Sequence, residues 1–356
     1  MTSTLDFTRA SADVLASELD SITFAQLATG SWLSVTVTVF DGDTSTVLDT
    51  WSTTYYADEG GRVGLYHLAS LWRNHILFRR RRDDAAATQP PALTGGIRVE
   101  FTYETEGGET GTCSRRIWYT RDDIITTTLT LMNDKVPFVS KKKRTFLGAS
   151  ERFYVIGPTA RTIRVTTTYV RNGTQGSSAH SLSTNIDSDS FARSTDVSPS
   201  RIQTLLPSGA SLREYTVMVC SGMTELDSCR YIVEQSHYAK RVQVAWLNRW
   251  GVYETLWLIG AEQLKTDRSA DFGFTGDHYS ALDISVVETF QQSTGYGSRA
   301  MADQVRDLAA SPDVWRYDTA NSRWQRITIT DVDIPRPTPT NEAHACTITY
   351  RIAKQY

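Results

Sequence analysis

Apolar and polar side chains alternate one by one through much of the chain. In Leu33–Val39, leucine or valine occupies every second position and serine or threonine the positions between. This alternation puts aliphatic side chains on one face of a β-strand and hydroxyl groups on the other. The same pattern, built from β-branched and aromatic residues, predicts further strands at Ile97–Tyr103, Ile124–Leu131, Ile163–Val170, Leu212–Val219, Ile327–Thr330 and Cys346–Ile352. The chain is therefore predicted to be mainly β.

Turn signals and short helical patterns add to this prediction. The pair Asn172-Gly173 follows the strand Ile163–Val170 and predicts the tight turn of a β-hairpin, because both residues adopt a positive φ there. Helical patterns predict short helices at Ala10–Leu19, Leu68–Phe78 and Ser298–Ala310. Many short strands with a few short covering helices indicate tandem β-sandwich-like domains.

We distinguish three segments along the chain, residues 1–145, 146–235 and 236–356. The first is predicted to be an N-terminal β-rich domain with a basic, proline-containing loop near residues 79–91. The second is predicted to be a β-sandwich-like domain, and the third a C-terminal β domain with one helix near residues 298–310. A length of 356 residues fits this division, since a domain averages about 150 residues.

Composition and charge exclude several classes of protein. The chain is 40% hydrophobic with a net charge of -3, which is too apolar and too weakly charged for a disordered protein. The near-neutral charge also argues against general nucleic-acid binding, which requires a basic surface. No signal peptide is predicted at the N-terminus, and no apolar run is long enough to span a membrane. We therefore expect synthesis in the cytoplasm.

Recognisable motifs for catalysis, metal binding and cofactor binding are missing from the sequence. The six histidines occur singly, without metal-ligand spacing. The cysteines lack Cys-x-x-Cys spacing and are predicted to be free, buried thiols: Cys113, Cys220, Cys229 and Cys346. We therefore predict no cofactor, no metal site and no catalytic residue. A glycosidase would need two carboxylates across a sugar bond, and the candidates for that chemistry are Glu254, Asp277, Asp283 and Glu288.

Two basic runs and a proline-rich stretch are the candidates for contacts with other molecules. A basic run followed by acidic residues and prolines is typical of an exposed, hydrated loop, and it also suits an acidic surface on a partner. Alternating prolines make a stiff, extended segment that can reach a neighbour. The candidate interface residues are Arg79, Arg80, Arg81, Arg82, Lys141, Lys142, Lys143, Arg144, Pro335, Pro337 and Pro339.

The last segment has the most distinctive order of motifs. It contains W-L-N-R-W-G within Val244–Leu258, then the predicted helix Ser298–Ala310, S-P-D-V-W at Ser311–Trp315, W-Q-R-I-T-I-T-D at Trp324–Asp331 and a terminal strand. This order resembles structural proteins of tailed phages and prophages of gut Bacteroidetes. In the first segment, Y-A-D-E-G-G-R-V is similar to their Y-A-D-x-x-G-x-V hairpin. The chain departs from their G-G-x-D motif, where it has Gly251-Val-Tyr-Glu254.

The resemblance implies a virion component of the tail, tail tip or baseplate, made in the cytoplasm of the host. It implies binding to other phage tail proteins and to copies of itself in a symmetric ring, with three- or six-fold symmetry expected. Two alternatives stay open. One is a carbohydrate-binding host-adhesion module of a tail tip, whose partner is a host surface glycan. The other is a glycoside-processing enzyme, whose two carboxylates would lie about 5 to 9.5 Å apart.

Overall fold

The computed structural model of the protein is mainly β, with tandem β-sandwich-like units and a few covering helices, which confirms the predicted fold class. It describes residues 13–25, 27–41, 46–83, 96–121, 134–157, 161–182, 192–238, 240–275, 278–319, 322–335 and 344–353. Within these ranges the helices are α1 (Leu68–Asp83), α2 (Pro199–Gln203) and α3 (Arg299–Ala309), with a 3-10 helix at Ala16–Leu19.

The strands make up most of the described residues. They are β1 (Asp13–Leu15), β2 (Ile22–Phe24), β3 (Trp32–Asp41), β4 (Val47–Tyr56), β5 (Val63–Leu65), β6 (Ile97–Thr105), β7 (Thr110–Trp118), β8 (Lys142–Thr145), β9 (Arg152–Ile156), β10 (Thr162–Arg171), β11 (Thr174–Leu182), β12 (Ala192–Asp196), β13 (Ser211–Ser221), β14 (Thr224–Val233), β15 (Val242–Leu247), β16 (Tyr253–Leu258), β17 (Glu262–Thr275), β18 (His278–Gly297), β19 (Val314–Asp318), β20 (Arg323–Asp333) and β21 (His344–Ile352). The predicted strand Ile124–Leu131 lies outside the described residues, and the other predicted strands are confirmed.

The first sheet has the strand order β1-β7-β6-β3-β4, and its strand β3 contains the alternating segment Leu33–Val39. On β3 the aliphatic residues of Leu33–Val39 are buried, while the serine and threonines between them are partly exposed. Helix α1 covers the buried face. Its Trp72 is fully buried, meets the ring of Phe101 edge to face, and donates a 2.9 Å hydrogen bond to the carbonyl of Leu19.

The second sheet has the strand order β11-β10-β13-β14-β8. Its hairpin β10–β11 turns at Asn172 and Gly173, with φ of 50° and 79°, as the Asn-Gly pair predicts. Tyr215 and Tyr231 stack in its core at a centroid distance of 4.7 Å, and the two-stranded sheet of β9 and β12 adds Phe153 to that core.

The third sheet has seven strands in the order β16-β15-β19-β20-β21-β18-β17 and lies between two cores. One face packs on α3, where Val305 and Leu308 share a core with Trp246. The opposite face contributes Leu247 and Trp315 to the core of the first sheet. The predicted helix near residues 298–310 is confirmed as α3, and Trp315 and Trp324 lie on the two strands of the hairpin β19–β20. The segment boundaries near residues 145 and 235 stay predictions.

Two local predictions are wrong. Over the described part of Ala10–Leu19, the chain forms β1 and one turn of 3-10 helix, because Asp13–Leu15 pairs in parallel with β7. The prediction of a loop from Arg79 is wrong for residues 79–83, since α1 continues to Asp83, and residues 84–91 of the predicted loop lie outside the described residues. Residues Arg79, Arg80, Arg81 and Arg82 thus extend the helix, for which arginine has a high propensity.

Buried carboxylates join the three sequence segments. Asp307 on α3 is fully buried and accepts hydrogen bonds from Arg121 (2.7 Å), Arg249 (2.8 Å) and the indole of Trp246 (2.9 Å). Arg121 comes from the first segment, so this contact connects the N-terminal part of the chain with the last helix. Two guanidinium groups and an indole N–H compensate the desolvation of one carboxylate.

Glu151 is a second buried carboxylate. It accepts hydrogen bonds from Thr255 (2.6 Å), Thr145 (3.1 Å) and Gln243 (3.4 Å). Burial raises the pKa of Glu151, and the nearby positive charge of Lys143 opposes that rise. The folded chain therefore holds the Glu151 proton more tightly than the unfolded chain does.

This raised pKa makes stability fall with pH. The contribution of Glu151 is fully present below the unfolded pKa of about 4.3 and is lost as pH rises through the higher folded pKa. Glu151→Gln removes the titration while keeping the side-chain size. We expect the free energy of unfolding of the wild type, measured in urea at a series of pH values, to fall relative to the variant as pH rises above about 4.3. Parallel curves for the two proteins would contradict this prediction.

Candidate interaction surface

A β-hairpin extends from one edge of the third sheet. Its strands β17 and β18 have 14 and 20 residues and pair from Glu262–Gln292 to Thr275–His278. β18 pairs with β21 only from Phe290 onward, and β17 is the edge strand. In the described part of the chain, residues 263–275 and 278–289 thus pair only with each other, and we call them the hairpin arm.

The two faces of the hairpin arm differ in polarity. Residues paired across a hairpin project to the same side, and alternate residues along a strand share that side. One side of the arm is apolar. Its large side chains are highly exposed: Leu264 (55%), Phe272 (54%), Ile284 (50%) and Val286 (48%). The opposite side is mainly polar, and on it Lys265 and Asp267 form a 3.0 Å ion pair.

The apolar side of the arm continues the core-facing side of the sheet. Phe290, at the root of the arm, lies on the same side as Leu264 and stacks on the buried ring of Tyr350 at 5.5 Å. Both aromatic rings belong to the core that α3 covers. The apolar side of the hairpin therefore extends beyond the core that α3 covers and is exposed to solvent.

Polar contacts fix the root of the arm. The carboxylate of Glu262 accepts a hydrogen bond from the hydroxyl of Tyr350 (3.4 Å) and from Lys240 (3.2 Å), and lies 3.7 Å from Arg316. The guanidinium of Arg316 also lies 4.8 Å from the centroid of the Phe290 ring. Burial raises the pKa of Tyr350, so its hydroxyl stays protonated and able to donate. These contacts hold the direction in which the arm leaves the sheet.

Most side chains of the basic run at the end of the first segment contact other residues of the same chain. Lys141 pairs with Asp227 at 2.7 Å, and Arg144 donates to the carbonyl of Tyr296 at 3.1 Å. Lys143 is buried, with its ammonium 3.6 Å from the centroid of the Phe138 ring, whereas Lys142 is exposed. A role for these four residues at an interface stays a prediction.

The other interface candidates lie apart from the hairpin arm in the sequence. Arg79, Arg80, Arg81 and Arg82 belong to the last turns of α1. Pro335 follows β20 and is exposed. Pro337 and Pro339 lie outside the described residues. Their roles at an interface also stay predictions.

The carboxylates singled out for sugar chemistry have different surroundings. Glu254 is fully buried and accepts hydrogen bonds from the side chains of Gln304 (2.9 Å) and Asn248 (3.2 Å) and from the backbone N–H groups of Val139 (2.9 Å) and Ser140 (3.3 Å). These contacts account for Glu254 as a structural group. Asp283 and Glu288 belong to the hairpin arm, and Asp277 lies outside the described residues.

The described ranges contain neither a metal-binding cluster nor a helix that could span a membrane. No group of three or more His, Cys, Asp or Glu side chains there is placed to hold a metal ion. No helix among those residues is long and apolar enough to cross a membrane. Cys113, Cys220, Cys229 and Cys346 are free, as predicted; three are buried, and Cys113 is partly exposed.

Comparison with known proteins adds little to this geometry. No protein-family model matches the chain, and no curated protein matches it. One solved structure that it is similar to is the crystal structure of Dpr2 Ig1-Ig2 in complex with DIP-Theta Ig1-Ig3, with 9% identity, 94% of this chain and 84% of that chain covered, and a TM-score of 0.16. A likeness this distant carries no argument about function.

Proposed function

We propose that this protein is a structural component of a phage virion, in the tail, tail tip or baseplate. It acts without a cofactor and without catalysing a reaction, by binding other tail proteins and copies of itself in a symmetric ring. The observation that carries the proposal is the hairpin arm, whose apolar side is exposed. A group of large, exposed apolar side chains on one face marks an interaction site. The motif order of the last segment supports the virion as the place of that contact.

The limited packing of the hairpin arm supports a role in an assembly. A two-stranded hairpin is marginally stable by itself in water, and packing against a third element stabilises it. The arm has no such element within the described residues beyond its root at Phe290. A neighbouring molecule that covers the apolar side would supply the missing packing.

Open sheet edges offer further contacts for assembly. Among the described residues β4 is an edge strand, and its ten residues include neither proline nor lysine, which commonly protect an edge. β17 is the edge of another sheet. Two different contact surfaces on one chain permit head-to-tail contacts, and such contacts form a ring when the rotation between neighbours closes on itself.

Analysis of purified particles tests the proposed function. Particles released from the source cell are purified through a density gradient and their proteins are quantified by mass spectrometry. We expect this chain to sediment with the particles in a copy number that is a multiple of three, because tail rings are symmetric. A terminase subunit, which a mature virion lacks, is the control and should stay out of the particle fraction. Absence of the chain from intact particles would contradict the proposal.

A further inference from the structure

Two opposite charges interrupt the apolar side of the hairpin arm. Arg268 is paired across the hairpin with Val286, and Glu288 is paired with Thr266. Both charged side chains are exposed, and neither forms an ion pair with a described residue. They belong to successive pairs on one side, about 7 Å apart along the hairpin. The apolar side thus carries one cation and one anion, which makes it complementary to itself.

We propose that a second copy of this chain covers the apolar side, with the two arms packed face to face around a two-fold axis. The inference rests on the self-assembly part of the proposed function; a two-fold contact joins copies in pairs, so it adds to the head-to-tail contacts between neighbours in a ring. In it, Arg268 of each copy meets Glu288 of the other. A two-fold axis exchanges the two surfaces, so one favourable pair occurs twice.

The same axis matches the apolar residues. If the axis crosses the hairpin between the Thr266–Glu288 and Arg268–Val286 pairs, antiparallel arms place each pair of residues opposite another. The Leu264–Phe290 pair of one arm then lies opposite the Ala270–Ile284 pair of the other. The two central pairs therefore bring Arg268 and Glu288 of the two copies together, and the neighbouring pairs bring apolar side chains together. A larger side chain opposite Ala270 also fills the space that the alanine leaves.

Charge exchange tests this contact in the full-length chain. Arg268→Glu gives the apolar side two anions, and Glu288→Arg gives it two cations. We expect each single variant to weaken self-association at least about tenfold, measured by sedimentation equilibrium. An equimolar mixture of the two variants should associate like the wild type, because each then meets the opposite charge. The doubly exchanged chain should associate with itself. Lys265→Glu, the same charge change on the opposite side of the arm, is the control and should leave association unchanged.

Each other outcome overturns the inference. If the wild type associates and both single variants associate equally well, copies contact each other elsewhere, and assembly into a virion stands without this contact. If the wild type stays monomeric at about 1 mM, the arm does not bind a second copy, although particle analysis can still find the chain in virions. If the monomer instead sediments with vesicles of anionic phospholipid, a lipid surface covers the arm. A variant that fails to fold is recognised by circular dichroism, and the doubly exchanged chain, whose two charges are both retained, then decides the test.

Discussion

Replacing Asp307 by alanine should lower the free energy of unfolding by about 3–5 kcal/mol, because it removes a fully buried carboxylate that accepts hydrogen bonds from two partly buried guanidinium groups and a buried indole. The side chain of Asp307 is fully buried and accepts hydrogen bonds from Arg121, Arg249 and Trp246. Without it, Arg121 retains only its bond to the backbone carbonyl of residue 307 at 2.9 Å among these contacts. Urea unfolding at neutral pH, followed by tryptophan fluorescence, measures the loss.

The matched control is Asp303→Ala, one turn earlier on the same helix. The side chain of Asp303 is about half exposed and pairs with Arg306 at 2.6 Å on the surface. Exposed ion pairs contribute at most about 1 kcal/mol, so this variant should unfold almost like the wild type. Equal losses of unfolding free energy for the two variants would show that the carboxylate of Asp307 does not stabilise the contact between α3 and the first segment.

The structure explains the W-L-N-R-W-G motif, which lies next to Asp307. Trp246 binds the carboxylate of Asp307. Asn248 closes the turn between β15 and β16, since its side-chain oxygen accepts from the backbone N–H of Trp250 (3.0 Å) and Val252 (3.2 Å). Gly251 has a φ of 77°, and an added Cβ there would lie 2.9 Å from the carbonyl oxygen of Tyr119. The residues of the motif therefore stabilise contacts between segments that are distant in the sequence.

Strand alternation and helix stop signals predict those elements whose secondary structure is determined by their own residues. Leu33–Val39 has one face for the core and one for solvent, so its period alone identifies a strand. The helix that becomes α3 stops where Ser311-Pro312 prevents its continuation. Asp13–Leu15 is different, because its strand depends on pairing with β7, which lies far along the chain. Local propensity contains no information about that partner.

The hairpin arm shows the same limit at the level of function. Its apolar side chains, such as Ile284 and Val286, alternate with polar ones as they would in any half-buried strand. Only the sheet topology shows that these residues pair beyond the last neighbour strand and stay exposed. Burial likewise separates Lys143 from Lys142, which the sequence presents as equivalent members of one basic run.

Replacing Glu254 by alanine should also lower the free energy of unfolding by about 3–5 kcal/mol. Its carboxylate lies at the meeting point of β16, α3 and the chain before β8, and Lys143 is buried 3.9 Å from it. The substitution removes the ion pair of that ammonium group with Glu254 and leaves the amide of Gln304 without this acceptor. The loss is measured by urea unfolding, as for Asp307.

Glu214→Ala is the control for Glu254, since Glu214 pairs with Arg230 in a more exposed position at 2.5 Å and should contribute at most about 1 kcal/mol.

Glu254→Gln extends the test to the enzyme alternative, because it keeps the size of the side chain and removes its charge. A structural Glu254 predicts a clear loss of stability in this variant as well, since a neutral amide cannot balance the charge of Lys143. A catalytic Glu254 predicts the opposite result, with stability nearly unchanged and a sugar-releasing activity of the wild type abolished. The complete burial of the carboxylate favours the structural role, because a catalytic acid must reach its substrate.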